Sequence, residues 1–165
     1  MVKLIHYLTN AIIVIVVAFM ALLYVPRIVG ISPYVVLSGS MEPTYHVGSL
    51  VFVNKNFDTI EVGDPITFQI SSSALVTHRV IEVDQQAMLY TTKGDANNTA
   101  DGSKVAYDNI VGVPMFTIPY LGYVAVFAIS FNGKIILGSV VALMILLSYL
   151  ADMYRKDQEK MPTQP

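Results

Sequence analysis

Pro65-Ile66-Thr67-Phe68-Gln69-Ile70 and then Val76-Thr77-His78-Arg79-Val80-Ile81-Glu82-Val83 occupy the middle of a 165-residue chain. Both runs are short and rich in β-branched and aromatic residues, which pack well on a pleated surface. Outward from them, Tyr34 to Leu37, Ser49 to Val53, Met88 to Thr92 and Ile110 to Val113 have the same texture. Turn chemistry separates the runs at His46-Val47-Gly48, Val62-Gly63-Asp64, Asp84-Gln85-Gln86 and Gly94-Asp95-Ala96-Asn97-Asn98. Pro65 opens its run and cannot donate to a ladder, so it suits an edge strand or a first strand position. No stripe of 3.6-residue period and helical length appears here, and no repeat. The reading is a mainly β protein whose all-β domain covers residues 26–130, large enough for one core. One exposed edge of such a domain would suit an extended peptide.

The ends read differently. The chain is 54% hydrophobic and 13% charged, too apolar for an ordinary soluble domain. From Leu4 to Val25 there is no Asp, Glu, Lys or Arg. As a helix this run reaches roughly 33 Å, enough for a hydrocarbon core of about 30 Å. Ile12 to Val17 is β-branched, which in water favours a strand, but a lone strand in lipid leaves its backbone unsatisfied. A cleavable signal is the rival reading. The length of the run, the single charge of Lys3 and the lack of Ala-x-Ala before a turn at Pro26 favour a retained anchor over residues 1–25. Ile135 to Leu150, between Lys134 and Asp152, predicts a second membrane helix over residues 131–151, with a polar tail over 152–165. A buried core helix is its alternative. Ile118 to Phe131 is broken by Pro119, Gly122 and Asn132-Gly133, and reads as a strand and a connection hugging the membrane interface. Lys3, Arg155, Lys156 and Lys160 lie at the outer ends of the two spans. Counting positive charges therefore places both termini in the cytoplasm, with the middle domain outside a multi-pass cell-membrane protein.

The net charge of −2 and the absence of a Lys/Arg block exclude nucleic acid as a partner. The absence of cysteine excludes disulfide scaffolds, thiol nucleophiles and thiolate metal sites, and no cofactor or metal is expected. Ser38-Gly39-Ser40-Met41-Glu42-Pro43 is a good way to present a hydroxyl on a tight bend that Gly39 relaxes. A serine attacks at neutral pH only with a base. Of three histidines, His6 belongs to the first span and His46 sits on a polar turn. His78, in mid-strand, is a base if it faces a site and otherwise a satisfied strand histidine. A carboxylate must orient the imidazole, and the loop from Gly94 to Asp101 offers both Asp95 and Asp101.

These blocks, in this order, resemble those of type I signal peptidases, most closely the archaeal and endoplasmic-reticulum branch. Ser38 to Pro43 is similar to the nucleophile block, and Gly63-Asp64 before an apolar strand to the next, with Pro65 where Ile or Val is commoner. Thr77-His78-Arg79-Val80-Ile81 resembles the general-base block, and Lys93-Gly94-Asp95-x-Asn97-Asn98-x-x-Asp101 the acidic one. Ile118 to Tyr123 is similar to the segment before the C-terminal anchor. The resemblance covers Val35 to Tyr123 and implies a signal-peptidase-like all-β catalytic domain between two membrane helices.

It also implies roles. Ser40 would be the nucleophile, Ser38 the side-chain oxyanion donor, His78 the base where the other branch carries lysine, and Asp101 the third catalytic residue. Asp95 would be a supporting acid. Gly102 stands where the family often has a second acid beside the first. The implied activity is a membrane-bound serine endopeptidase that removes signal peptides from secreted precursors after small residues. Its partners would be those precursors, the lipid bilayer and the secretion machinery. Two alternatives stand beside it: a Ser/Lys enzyme using Lys93 or Lys55, and a non-catalytic membrane-tethered β-domain assisting export. A histidine base should lose activity as pH falls through about 6.5. Asn97-Asn98-Thr99 has the form of a glycosylation sequon but reads as turn chemistry within the acidic block.

Overall fold

The computed structural model describes residues 2–72 and 74–160. Its elements run α1 (Val2–Ile28), β1 (Ile31–Val35), β2 (Leu50–Asn54), β3 (Pro65–Ser71), β4 (Ala74–Asp84), β5 (Leu89–Lys93), β6 (Val105–Ala106), a 3₁₀ turn (Tyr107–Asn109), β7 (Ile110–Ile118), α2 (Leu121–Ile129) and α3 (Phe131–Lys160). They divide into two compact units. One spans Leu23–Val126; the other joins the chain up to Leu22 to the chain from Phe127 onward.

The first unit holds all seven strands in one antiparallel sheet, ordered β1-β2-β7-β3-β4-β5-β6. Strand β7 joins its two halves. Val113 to Ile118 pairs with β2, while Ile110 and Gly112 pair with β3. Gly112 is where the change of partner is tightest, since a Cβ there would come within 2.2 Å of the Asn54 carbonyl oxygen. Among the described residues, buried apolar side chains from the strands and their connections gather in clusters that include the following two. Ile60, Ile66, Phe68, Val80, Tyr90 and Val105 form one; Met41, Tyr45, Val51 and Val53 form the other, with Tyr34 and Val36 against it. Burying Ile66 and Phe68 contributes about 1.5–3 kcal/mol each, so Phe68→Ala would loosen the first cluster directly.

The β texture is as the sequence suggests, with two differences. Pro65 takes the first position of β3, one of the two placements expected for it; β3 itself lies between β4 and β7 and is not an edge. Its proline is tolerated because the pairing with β7 begins only at Thr67. Strand β7 runs five residues beyond Val113, because its partner β2 continues to offer ladder groups. Leu121–Ile129 is a helix and not an extended connection. Pro119 and Tyr120, the latter at φ 61°, end the strand and reset the chain. At about 14 Å, α2 is too short to cross a bilayer.

Helices α1 and α3 are long and apolar enough to cross a membrane, over Lys3–Ile28 and Phe131–Tyr154; the last residues of α1, from Leu23, belong to the first unit. The turn expected at Pro26 comes three residues later, after Ile28. Proline cannot donate to the preceding helical carbonyl, yet its own carbonyl accepts from Val29 at 3.1 Å and closes the last turn. Helix α3 likewise continues through Asp152 to Lys160.

Candidate active site

The turn that carries Ser40 is built by its neighbours. Met41 and Tyr45 are buried in the second core cluster, which pins the backbone from below. The Glu42 N–H donates to the Gly39 carbonyl at 3.0 Å and the Tyr45 N–H to that of Met41 at 2.9 Å. With its apolar residues inward, the bend turns Ser38 and Ser40 toward an open groove of about 520 Å³. Tyr34 to Leu37 and Leu75 to Thr77 wall that groove, and His78 also lines it. The groove floor is apolar, from Met41, Tyr45, Val51 and Val53.

His78 sits in β4, opposite Ile66 of β3, and is only 8% exposed. Its Nδ1 bonds Asp101 Oδ2 at 2.6 Å, and Phe68 packs against the ring in a T-shaped arrangement at 6.3 Å between centroids. An imidazole that donates Nδ1–H to a carboxylate keeps its lone pair on Nε2, the tautomer that can take a proton. Asp101 is held in turn by Thr92. The Thr92 hydroxyl donates to the same Oδ2 at 2.6 Å, and the Thr92 carbonyl accepts the Asp101 N–H at 2.8 Å. Thr92 has no solvent exposure, so its hydroxyl has no competing water and a fixed rotamer.

Asp95 makes a different set of contacts. Arg79 Nε and Nη2 clamp its two oxygens at 2.8 and 2.6 Å, and the Thr44 hydroxyl donates to Oδ2 at 2.5 Å. The guanidinium bonds hold the Asp95 carboxyl below the usual carboxylate range, against the opposing effect of burial. The same bonds push the Arg79 pKa further up. Burial raises the Tyr45 phenol nearby. The Asp95 loop also reaches the nucleophile turn directly: the Ala96 N–H donates to the Ser40 carbonyl at 2.9 Å. Gly94 permits this approach, since a Cβ there would lie 2.6 Å from that carbonyl oxygen.

Thus Ser38, Ser40 and His78 line one groove, Asp101 is bonded to His78, and Asp95 binds Arg79 and Thr44 instead. His46 is exposed and bonded to Glu42 at 2.5 Å, and neither Lys55 nor Lys93 lines the groove. Reading by sequence passed over Thr92 and Thr44. Thr92 falls directly before Lys93-Gly94-Asp95, but a threonine in a strand signals packing, and only its facing carboxylate shows more. Hydroxyls in a groove lined by the histidine of a part-buried His–Asp pair are the materials of serine hydrolase chemistry.

Comparison with known proteins narrows that class. The family described as "Signal peptidase, peptidase S26" matches residues 8–102. Signal peptidase I W of Bacillus subtilis is 40% identical over 89 residues, 52% of this chain and 47% of the relative. The signal peptidase complex catalytic subunit SEC11 of Zygosaccharomyces rouxii is 35% identical over 129 residues, 69% of this chain and 76% of the relative. Its namesake from Candida dubliniensis is 36% identical over 103 residues, 56% of this chain and 62% of the relative. The match thus spans about half the length of the Bacillus protein and under two thirds of the Candida one. The chain belongs to the signal peptidase family, peptidase S26.

Proposed function

We propose that this chain is a membrane-bound serine endopeptidase that removes N-terminal signal peptides from exported precursors. The observation that carries the reading is the part-buried His78–Asp101 pair, whose His78 lines the groove that holds Ser38 and Ser40. An extended segment of precursor lies in the groove beside the edge strand β1. His78 Nε2 takes the Ser40 hydroxyl proton as Oγ attacks the scissile carbonyl. Asp101 keeps the imidazole in the required tautomer and stabilises its charged form. The Ser40 N–H and the Ser38 hydroxyl receive the developing oxyanion. The imidazolium then protonates the leaving amine, and water releases the acyl group by the reverse proton path. A shallow groove with an apolar floor admits small side chains beside the cut.

Two membrane helices suit such a substrate, because a signal peptide is itself apolar and tethering both partners to one bilayer raises their effective concentration. Both termini are cytoplasmic in this reading and the β unit faces the other side. Arg79, Asp95 and Thr44 act by holding the nucleophile turn against the acidic loop.

The test is cleavage of a synthetic precursor by the purified full chain in lipid. Wild type should cut after a small residue, and Ser40→Ala should not cut at all. Processing by Ser40→Ala equal to wild type would overturn the enzymatic reading. Activity surviving in His78→Ala, but lost in Lys93→Ala, would replace the histidine base by a lysine.

A further inference from the structure

The second unit contains a polar constellation that the proposed reaction does not use. His6 of α1 meets two residues of α3. Its Nδ1 lies 2.7 Å from Ser148 Oγ and its Nε2 lies 3.0 Å from Asp152 Oδ1. Nearly a turn further along α1, Thr9 is 4% exposed and its hydroxyl points at the Met144 carbonyl, 3.5 Å away.

Its place in the two helices tells what it does. Along the first part of α1, up to Val16, the less exposed positions are Ile5, His6, Thr9, Ile12, Ile13 and Val16; along α3 from Leu137 they are Leu137, Val141, Met144, Ser148, Ala151 and Asp152. Steps of three and four mark one face on each helix, the pattern of a packed helical pair. The faces are apolar except at this one end. In lipid an apolar face gains little by choosing another apolar face, so such a seam could slide or turn at small cost. Polar groups remove that freedom. A neutral His6 accepts the Ser148 hydroxyl at Nδ1 and donates Nε2–H to Asp152, so both ring nitrogens and the carboxylate are satisfied together. A slide by one helical turn, about 5.4 Å, would separate His6 from Ser148 and Asp152 and break both hydrogen bonds of the imidazole at once.

We propose that His6, Ser148 and Asp152 form a register lock by which α1 and α3 recognise each other. The proposal rests on the reading that these helices lie in a bilayer. The chain contains no cysteine, so introduced thiols report the pairing without background. The full chain carrying Thr9→Cys with either Met144→Cys or Val140→Cys is placed in phosphatidylcholine nanodiscs and treated with a short bis-maleimide. Bridging should favour position 144 over 140 in the parent. His6→Leu or Asp152→Leu should reduce that preference at least about threefold, with Ser148→Ala doing less. Asp152→Asn, which keeps an acceptor oxygen, should hold it, and His6→Asp with Asp152→His should restore it. An unchanged preference in both leucine variants would overturn the lock, as would a loss in Asp152→Asn equal to that in Asp152→Leu. Alkaline carbonate extraction of wild-type membranes tests the bilayer reading separately; release into the supernatant would overturn that reading and the lipid argument for the lock with it.

Discussion

Two imidazoles of the β unit each bond a carboxylate through Nδ1, His46 to Glu42 at 2.5 Å and His78 to Asp101 at 2.6 Å. By distance alone they are equivalent. The first pair is local, four residues apart on one turn, with side chains 56% and 37% exposed. The second joins residues 23 apart in sequence, with side chains 10% and 23% exposed. Exposed pairs are screened by water and hold nothing in place. At His78 the ring is also packed by Phe68, the carboxylate is shared with Thr92, and the groove with two serine hydroxyls lies beside it. An ion pair becomes a candidate for chemistry when its surroundings fix both partners and leave one ring nitrogen to act.

The contrast is open to direct attack, most severely at His78. His78→Ala should lower kcat/KM for a precursor peptide by about 10³-fold or more while the β-sheet circular dichroism is unchanged. Activity within tenfold of wild type would place His78 among ordinary strand residues. Thr92→Val keeps the shape but deletes the donor to Asp101, and should cost about 10–100-fold in kcat/KM. Thr92→Ser should recover most of it; if serine is as poor as valine, packing and not the hydroxyl matters at this position.

A smaller effect is expected at the other acid. Asp95→Asn removes the charge facing Arg79 and should destabilise the β unit by about 1–2 kcal/mol in urea unfolding. The Asp95 carboxyl is depressed on folding, so its stabilisation is fully present above the ordinary carboxylate pKa of about 4. It is lost as pH falls through the lower folded value. Wild type should therefore lose more stability than Asp95→Asn on acidification below about pH 4, and parallel acid titrations would count against the clamp. His46→Ala should change activity less than about twofold and stability by under about 0.5 kcal/mol. A large loss there would show that the exposed pair does more than its surroundings suggest.

Much of this was legible because it depends on local chemistry. The β runs carry their propensity and their turns in adjacent residues, and α1 and α3 announce themselves by the length of an uncharged run. The serine bend is a local object too, with Gly39 and Pro43 written into it. Leu121–Ile129 was not legible as a helix, because an apolar stretch of nine residues satisfies strand and helix patterns alike. Choosing between Asp95 and Asp101 as the partner of His78 was also beyond spacing, since both lie on one loop.

The sequence by itself thus determined a mainly β unit joined to two apolar helices, a hydroxyl-bearing bend and a short list of bases and acids. The tertiary structure alone decided how the acids are shared out. Neighbours on a strand point to opposite faces, and the adjacent basic residues of β4 take separate acids, Asp101 for His78 and Asp95 for Arg79. That division depends on the register of β4 with β5, where Arg79 pairs with Lys93 beside the buried Thr92. Register is set by packing across the whole sheet, over distances along the chain that no local pattern records.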